Sequence, residues 1–241
     1  MQAERDAERD RMRFDALPLV CPVCNFFFMS WEVTSFGYET RRTDFRPNYE
    51  GENPMKLYYH FCPSCKFCAD QEYFRLEIPR EARRALEEGA ARLFKELGEG
   101  LSTSVARKLF FGAHVAELLQ HLGLIKESEF DRAQSFVQAF WWSDPSEMAA
   151  FGEAAAERLK KALPGLERSS ENYLYALYMV GEISRRMGNA GESRLHFEKL
   201  LGLRAGSQNE SNRFIFELAR QQMTEPRDIM PEESLNPYKR G

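Results

Sequence analysis

Two Cys-Pro-x-Cys pairs, Cys21/Cys24 and Cys62/Cys65, constrain the fold of this chain more than any other feature of its 241 residues. Each pair puts two thiolates at the tip of a tight turn, where backbone amides can point at the sulfurs. Two such tips can close a tetrahedral four-sulfur site at metal–sulfur distances of about 2.3 Å. Zinc, borderline-soft and without ligand-field preference, suits four thiolates in that geometry. The 37 residues between the pairs leave room for a β-hairpin or a three-stranded sheet, so the segment reads as a zinc ribbon. Disulfides fit less well, because the first residues alternate Glu, Asp and Arg and form no apolar signal core. A redox Cys-x-x-Cys belongs in a βαβ pattern, and neither pair lies in one. Four bound sulfurs leave no open position for a catalytic water, so the single Zn2+ is expected to be structural. Cys68 is expected to pack as a small apolar residue, and His60 to sit on a strand with its side chain at the surface.

The texture of the chain changes three times. Residues 1–16, with four Arg and five Asp/Glu, read as a charged leader. Residues 17–78 hold every cysteine, short strand-like runs such as Phe26–Met29 and Leu57–Phe61, and turn formers at Gly51 and Asn53-Pro54. From Pro79 the period becomes helical. Arg80–Leu97 places Leu86, Ala90, Leu93, Phe94 and Leu97 on one face, with Gly98 and Gly100 as the stop, and Val105–Leu122 is apolar on most sides. Ser128 and Asp131 resemble a capping box, and Asp144-Pro145-Ser146-Glu147 opens a helix that Pro164-Gly165 ends. Helices are expected at 169–187, 190–203 and 209–223, and residues 225–241, with three Pro, as a disordered tail.

Leu177, Gly181, Gly188 and Phe197, with Ser193 at a small position, fit one register of the 34-residue tetratricopeptide pattern. The expected fold is therefore α+β, mainly α: a small β zinc ribbon at 17–78 followed by a tetratricopeptide-like helical-hairpin array at 79–224. A plain helical bundle is the alternative. In an array, Tyr173, Tyr175 and Tyr178 are the candidates for a peptide-binding groove, and Tyr173 and Tyr178 serve a core equally well.

Charge narrows the function classes. The chain has 33 Lys+Arg against 37 Asp+Glu. Between Cys21 and Asp70 there are five basic and six acidic residues, and four thiolates around one Zn2+ make that segment more negative still. Phosphate contact favours a basic ribbon, so a nucleic-acid-binding reading would need Arg41, Arg42 and Arg46 to form one exposed basic face. No run approaches the roughly 20 apolar residues of a membrane span. The phosphate-loop, dinucleotide, nucleophile-elbow and zincin motifs are all missing, so no catalytic or small-molecule-cofactor residue is nominated. The expectation is a cytoplasmic, non-enzymatic adaptor with a protein partner. A nucleic-acid-binding ribbon, or an enzyme or redox protein using a pocket between ribbon and helices, stands as the alternative.

The run Cys21-Pro22-Val23-Cys24, then Arg41-Arg42-Thr43-Asp44-Phe45-Arg46-Pro47-Asn48-Tyr49-Glu50-Gly51-Glu52-Asn53-Pro54, then Tyr59 and Cys62-Pro63-Ser64-Cys65, resembles the bacterial domain-of-unknown-function family 2225. The resemblance implies a four-cysteine ribbon followed by a tetratricopeptide-like tail. Lys66 stands where that family usually has Gly after the second knuckle, which asks a side chain to accept a backbone near positive φ. Within the inter-knuckle run, Arg41, Asp44, Tyr49 and Asn53 are open to two readings. They form a binding surface, or they serve the fold, with Asp44 and Asn53 capping turns, Tyr49 covering the metal and Arg41 pairing with Asp44.

Overall fold

Each cysteine pair occupies the tip of a short antiparallel hairpin. β1 (Arg13–Val20) runs into the first knuckle and pairs with β2 (Phe27–Ser35), and β5 (His60–Phe61) pairs with β6 (Cys68–Ala69) around the second. Between them lies a third two-stranded sheet, β3 (Tyr38–Arg41) with β4 (Pro47–Tyr49). The computed structural model describes residues 13–97, 101, 103–203 and 210–230, and these divide into two compact units.

The first unit comprises residues up to 39 and 49–127. The alternation of β1 and β2 sorts their side chains onto two faces. Leu17 and Leu19 turn inward with Phe28 and Ser30, whereas the cross-strand pairs Phe14/Val33, Ala16/Trp31, Pro18/Met29 and Val20/Phe27 share the outward face. Behind the knuckles, Phe74 meets Phe28, His60 and Phe67 edge to face at 5.3–5.9 Å. Two helices complete the unit: α1 (Arg80–Leu97) and α2 (Val105–His121). Ser104 Oγ accepts the Arg107 amide to start α2, whose Leu109, Phe111, Val115 and Leu119 are fully buried. Gly112 lets this helix approach the ribbon, because a Cβ there would stand 3.0 Å from the Tyr59 ring.

The second unit joins residues 40–48 to the chain from Ser128 onward. It contains α3 (Glu129–Trp142), α4 (Met148–Ala162), α5 (Glu171–Arg186), α6 (Ala190–Leu201) and α7 (Glu210–Thr224). Side-chain caps set the starts: Ser128 for α3, Ser170 for α5 and Asn189 for α6. Asp144 Oδ1 takes the amides of Ser146 and Glu147 in the turn before α4. Successive helices pack as hairpins, α3 on α4 and α5 on α6, with α7 against α5 and α6. At the centre of the α5–α6 hairpin, Gly181 faces Phe197, and Ser193 is buried. These are the residues that the tetratricopeptide register selects, and the fold is α+β, mainly α.

Three boundaries need correction. Arg13–Ala16 belong to β1, because their alternation is completed by β2 residues 31–35; the rest of the expected leader, residues 1–12, lies outside the described residues. Residues 225–230 are ordered rather than a tail. Gln222 exchanges two hydrogen bonds with the Arg227 backbone, Ile229 bridges to Arg42, and Met230 is buried. Residues 231–241, the expected stop at Gly98 and Gly100, and the start of the last helix at 209 lie outside the described residues. Finally, the chain does not divide at 78/79: α1 and α2 belong with the ribbon, and 40–48 with the later helices. A ribbon of two-stranded sheets cannot bury its own apolar side, so it recruits the next two helices.

A Cβ at position 181 would lie 2.7 Å from the Phe197 ring, which is fully buried. Gly181→Ala is expected to destabilise the second unit by about 1–3 kcal/mol despite the better helix propensity of Ala. Urea unfolding followed by circular dichroism measures this.

Candidate metal centre

The four sulfurs converge. Cys21 Sγ is 3.5 Å from Cys65 Sγ, Cys24 Sγ is 3.6 Å from Cys62 Sγ, and all four lie within 4.8 Å of one another. A tetrahedron with 2.3 Å metal–sulfur bonds has edges of about 3.8 Å, so the donor set and its spacing fit a tetrathiolate metal ion. None of the cysteines is in a disulfide.

The two knuckles are built alike. Cys21 N donates to Phe26 O at 2.9 Å and Asn25 N to Cys21 O at 2.9 Å; Cys62 N donates to Phe67 O at 2.8 Å and Lys66 N to Cys62 O at 3.1 Å. The residue after each second cysteine takes the left-handed conformation, Asn25 at φ 59° and Lys66 at φ 69°. Lys66 accepts it as expected, its ammonium bonded to Pro63 O at 2.7 Å and facing the Phe61 and Phe94 rings. Asn25 holds the equivalent position. Its role was readable from the repeat of the motif, since Asn is among the residues that tolerate this region.

This arrangement sets the protonation of the thiols. Burial pushes Cys62 up to about 11. Cys65 is raised further by its hydrogen bond to Cys21 and by burial. Burial raises Cys24 too, but the Phe26 amide and the neighbouring Cys65, Ser64 and Cys62 groups outweigh it and bring this thiol down to about 7. Cys68 lies outside the cluster, fully buried with its thiol pushed up to about 12 by desolvation, and donates to Lys108 O at 3.8 Å. It packs as expected. His60 does not stand at the surface. It is buried, 2.8 Å from Ser30 Oγ, and desolvation together with the Lys108 charge lowers it to about 4.

The inter-knuckle residues part company. Asn53 Oδ1 caps its turn by accepting the Met55 amide at 2.9 Å, and its side chain lines a shallow cleft with Phe14, Trp31, Glu52, Lys56 and Leu57. Tyr49 stacks edge to face on Phe36 at 5.4 Å. Arg41 and Asp44 lie in the second unit. Asp44 is fully buried and presents no surface: its Oδ1 accepts the Arg46 amide, and its Oδ2 pairs with Arg42 at 3.0 Å and Arg186 at 3.1 Å. Arg42 and Arg186, not Arg41, are its ionic partners; the Arg41 carbonyl accepts Met230 N. Beside it the Thr43 hydroxyl, also fully buried, donates to Glu182 Oε1 at 2.8 Å, and Tyr178 donates to Thr43 O. Glu182 Oε1 pairs with Arg186 and Oε2 with Arg185, and Asp228 closes the array against both arginines. The bond to Glu182 raises the Arg185 guanidinium, and the bond to Arg185 lowers the Asp228 carboxyl. The two fully buried carboxylates, Asp44 and Glu182, face three arginines, and the exposed Asp228 closes the outer side. Phe45 enters the same unit at φ 68°, its ring against Tyr175 at 5.2 Å and Tyr178 at 5.6 Å.

Sequence reasoning missed this array, although Glu182 between Val180 and Ile183, with Arg at i+3 and i+4, marks a charge on a buried helix face. The groove candidates sit differently from one another. Tyr173 is buried, and Tyr175 is held between Phe45 and Phe130 with its hydroxyl donating to Gln134.

A family model described as "Uncharacterized protein conserved in bacteria (DUF2225)" matches residues 17–225. The chain belongs to that family. No curated protein and no solved structure matches the chain. The DUF2225 match spans both cysteine pairs, the inter-knuckle loop and every helix of both units. No helix among the described residues is long and apolar enough to cross a membrane.

Two predictions follow from the charges. Metal binding at neutral pH must displace protons from Cys62 and Cys65 at least. The apparent affinity should therefore fall as pH falls, by about 10⁴-fold from pH 8 to pH 6; competition with a chromophoric chelator measures it, and a flat profile would contradict the thiol assignment. In the second unit, Arg186→Met leaves Asp44 and Glu182 buried with one countercharge fewer, at a cost of about 3–5 kcal/mol in urea unfolding.

Proposed function

We propose that this protein is a non-enzymatic protein-interaction adaptor in the cytoplasm, with a ribbon folded by one structural zinc ion. Four thiolates in closed geometry suit zinc and leave it no open coordination position, and free thiols in two knuckles suit a reducing compartment. The observation that carries the adaptor reading is the outward face of the β1–β2 hairpin. Phe14, Val20, Phe27, Met29 and Trp31 are each about half exposed there, and no charged residue shares the face. Contiguous apolar surface of this kind marks an interaction site. Two of the three arginines that nucleic-acid binding would call on are engaged inside the second unit, which favours this reading: Arg42 pairs with Asp44, while Arg46 donates to Trp141 O and Asn48 and stacks on Trp142.

The test has two parts. Purified chain should carry one zinc by elemental analysis, and Cys62→Ser should lose it; a zinc-free wild type with redox-active thiols would replace this reading by redox chemistry. A photo-crosslinking residue at position 31 should capture a protein in living cells, whereas the same residue at Arg84, exposed on α1, should not. Crosslinks at neither position would remove the adaptor reading.

A further inference from the structure

We infer that the outward hairpin face is a self-association surface, and that its occupant is the same face of a second copy of this chain. The inference rests on the reading that this face is a recognition surface, and it names the partner.

Three observations select a second copy. The first is charge. A two-fold contact sets a patch against itself, so any charge on it meets its own like, or lies buried and unpaired. The strand residues of this face carry none, and the Glu52 and Lys56 side chains that line the cleft at its end pair with each other. The second is shape. Phe27, 59% exposed, stands at the knuckle end of the face, and the cleft between Phe14, Trp31 and Leu57 lies at the other end, about 20 Å away along the strands. An antiparallel two-fold arrangement brings the Phe27 of each copy to the cleft of the other, so that one surface supplies both projection and receptor. The third is area. The exposed parts of the five large side chains amount to about 500 Å² per copy, or about 1,000 Å² in a symmetric pair, the threshold for a specific interface.

The contact is face to face. Pro18 lacks an N–H, and in the alternation that follows from the Cys21–Phe26 hydrogen bond its position is one whose N–H would point away from β2. The outer edge of β1 is therefore blunted against strand addition. The rings instead supply large rigid anchors, with Phe14 and Trp31 already fixed edge to face at 5.5 Å.

Sedimentation equilibrium of the full metal-loaded chain, from about 1 to 200 μM, tests the inference, a range that brackets the micromolar dissociation constants of weak, reversible pairs. The expected result is a monomer–dimer equilibrium that Met29→Glu weakens at least about 100-fold with zinc content and helical signal unchanged. Hydroxyl-radical footprinting of the unmodified chain is the second measurement, independent of any variant: Phe27, Met29 and Trp31 should become protected as concentration rises. A wild type that stays monomeric throughout overturns the inference, and so does a dimer that neither Met29→Glu nor concentration-dependent protection connects to this face. If the chain is monomeric while a crosslinker at position 31 captures a different protein, the second copy is excluded and the adaptor reading stands. If no crosslink forms to any protein, both fall.

Discussion

Strands of two to nine residues in two-stranded sheets cannot hold a module together by ladder hydrogen bonds and burial alone. The ribbon depends instead on the convergence of four sulfurs from two hairpin tips separated by 37 residues of sequence. The convergence sets the four thiols at unequal acidity. Cys65 and Cys62 are forced to keep their protons, while Cys24 is inclined to lose its own. A metal ion that took all four as thiolates would turn its binding energy into folding energy. The aromatic cluster around Phe74 and the helix that Gly112 admits against Tyr59 then rest on a fixed platform.

The same loop that separates the two cysteine pairs gives its middle to the other unit. Thr43, Asp44 and Phe45 are buried among α5, α7 and the 225–230 segment, the first two by ion pairs and hydrogen bonds and the third by ring packing at the cost of a left-handed backbone. Asp44 and Glu182 are fully buried and share Arg42, Arg185 and Arg186, so removing an arginine leaves a buried carboxylate short of a countercharge. Such an array specifies a single register for the loop more than it adds stability. The inter-knuckle motif is therefore structural at Thr43–Phe45, while Asn53 remains beside an open cleft.

How legible all this was depends on the range of the interactions. The cysteine knuckles, the caps at Ser128, Ser170 and Asn189, and the Gly181–Phe197 contact follow from spacing within a turn or a hairpin, and they could be read directly. The left-handed residue after each knuckle was likewise visible at Lys66. The division of the chain was not, because it turns on contacts more than a hundred residues apart, such as Thr43 with Glu182. Asp44 carries a charge that usually marks a surface, and only the fold shows that ion pairs bury it, while ring packing holds Tyr175 half-buried. His60 was misplaced for the same reason: the Ser30 partner that makes its burial tolerable is 30 residues away. The outward hairpin face takes shape only when β1 and β2 pair, because its apolar residues come from alternate positions of two strands and line up only in that register.

The central claim is a zinc ion held by Cys21, Cys24, Cys62 and Cys65. X-ray absorption at the zinc edge of the purified chain tests it most directly. The account predicts a first shell of four sulfurs at about 2.3 Å with no nitrogen or oxygen scatterer. A shell containing nitrogen or oxygen, or a chain that retains no zinc, would contradict it.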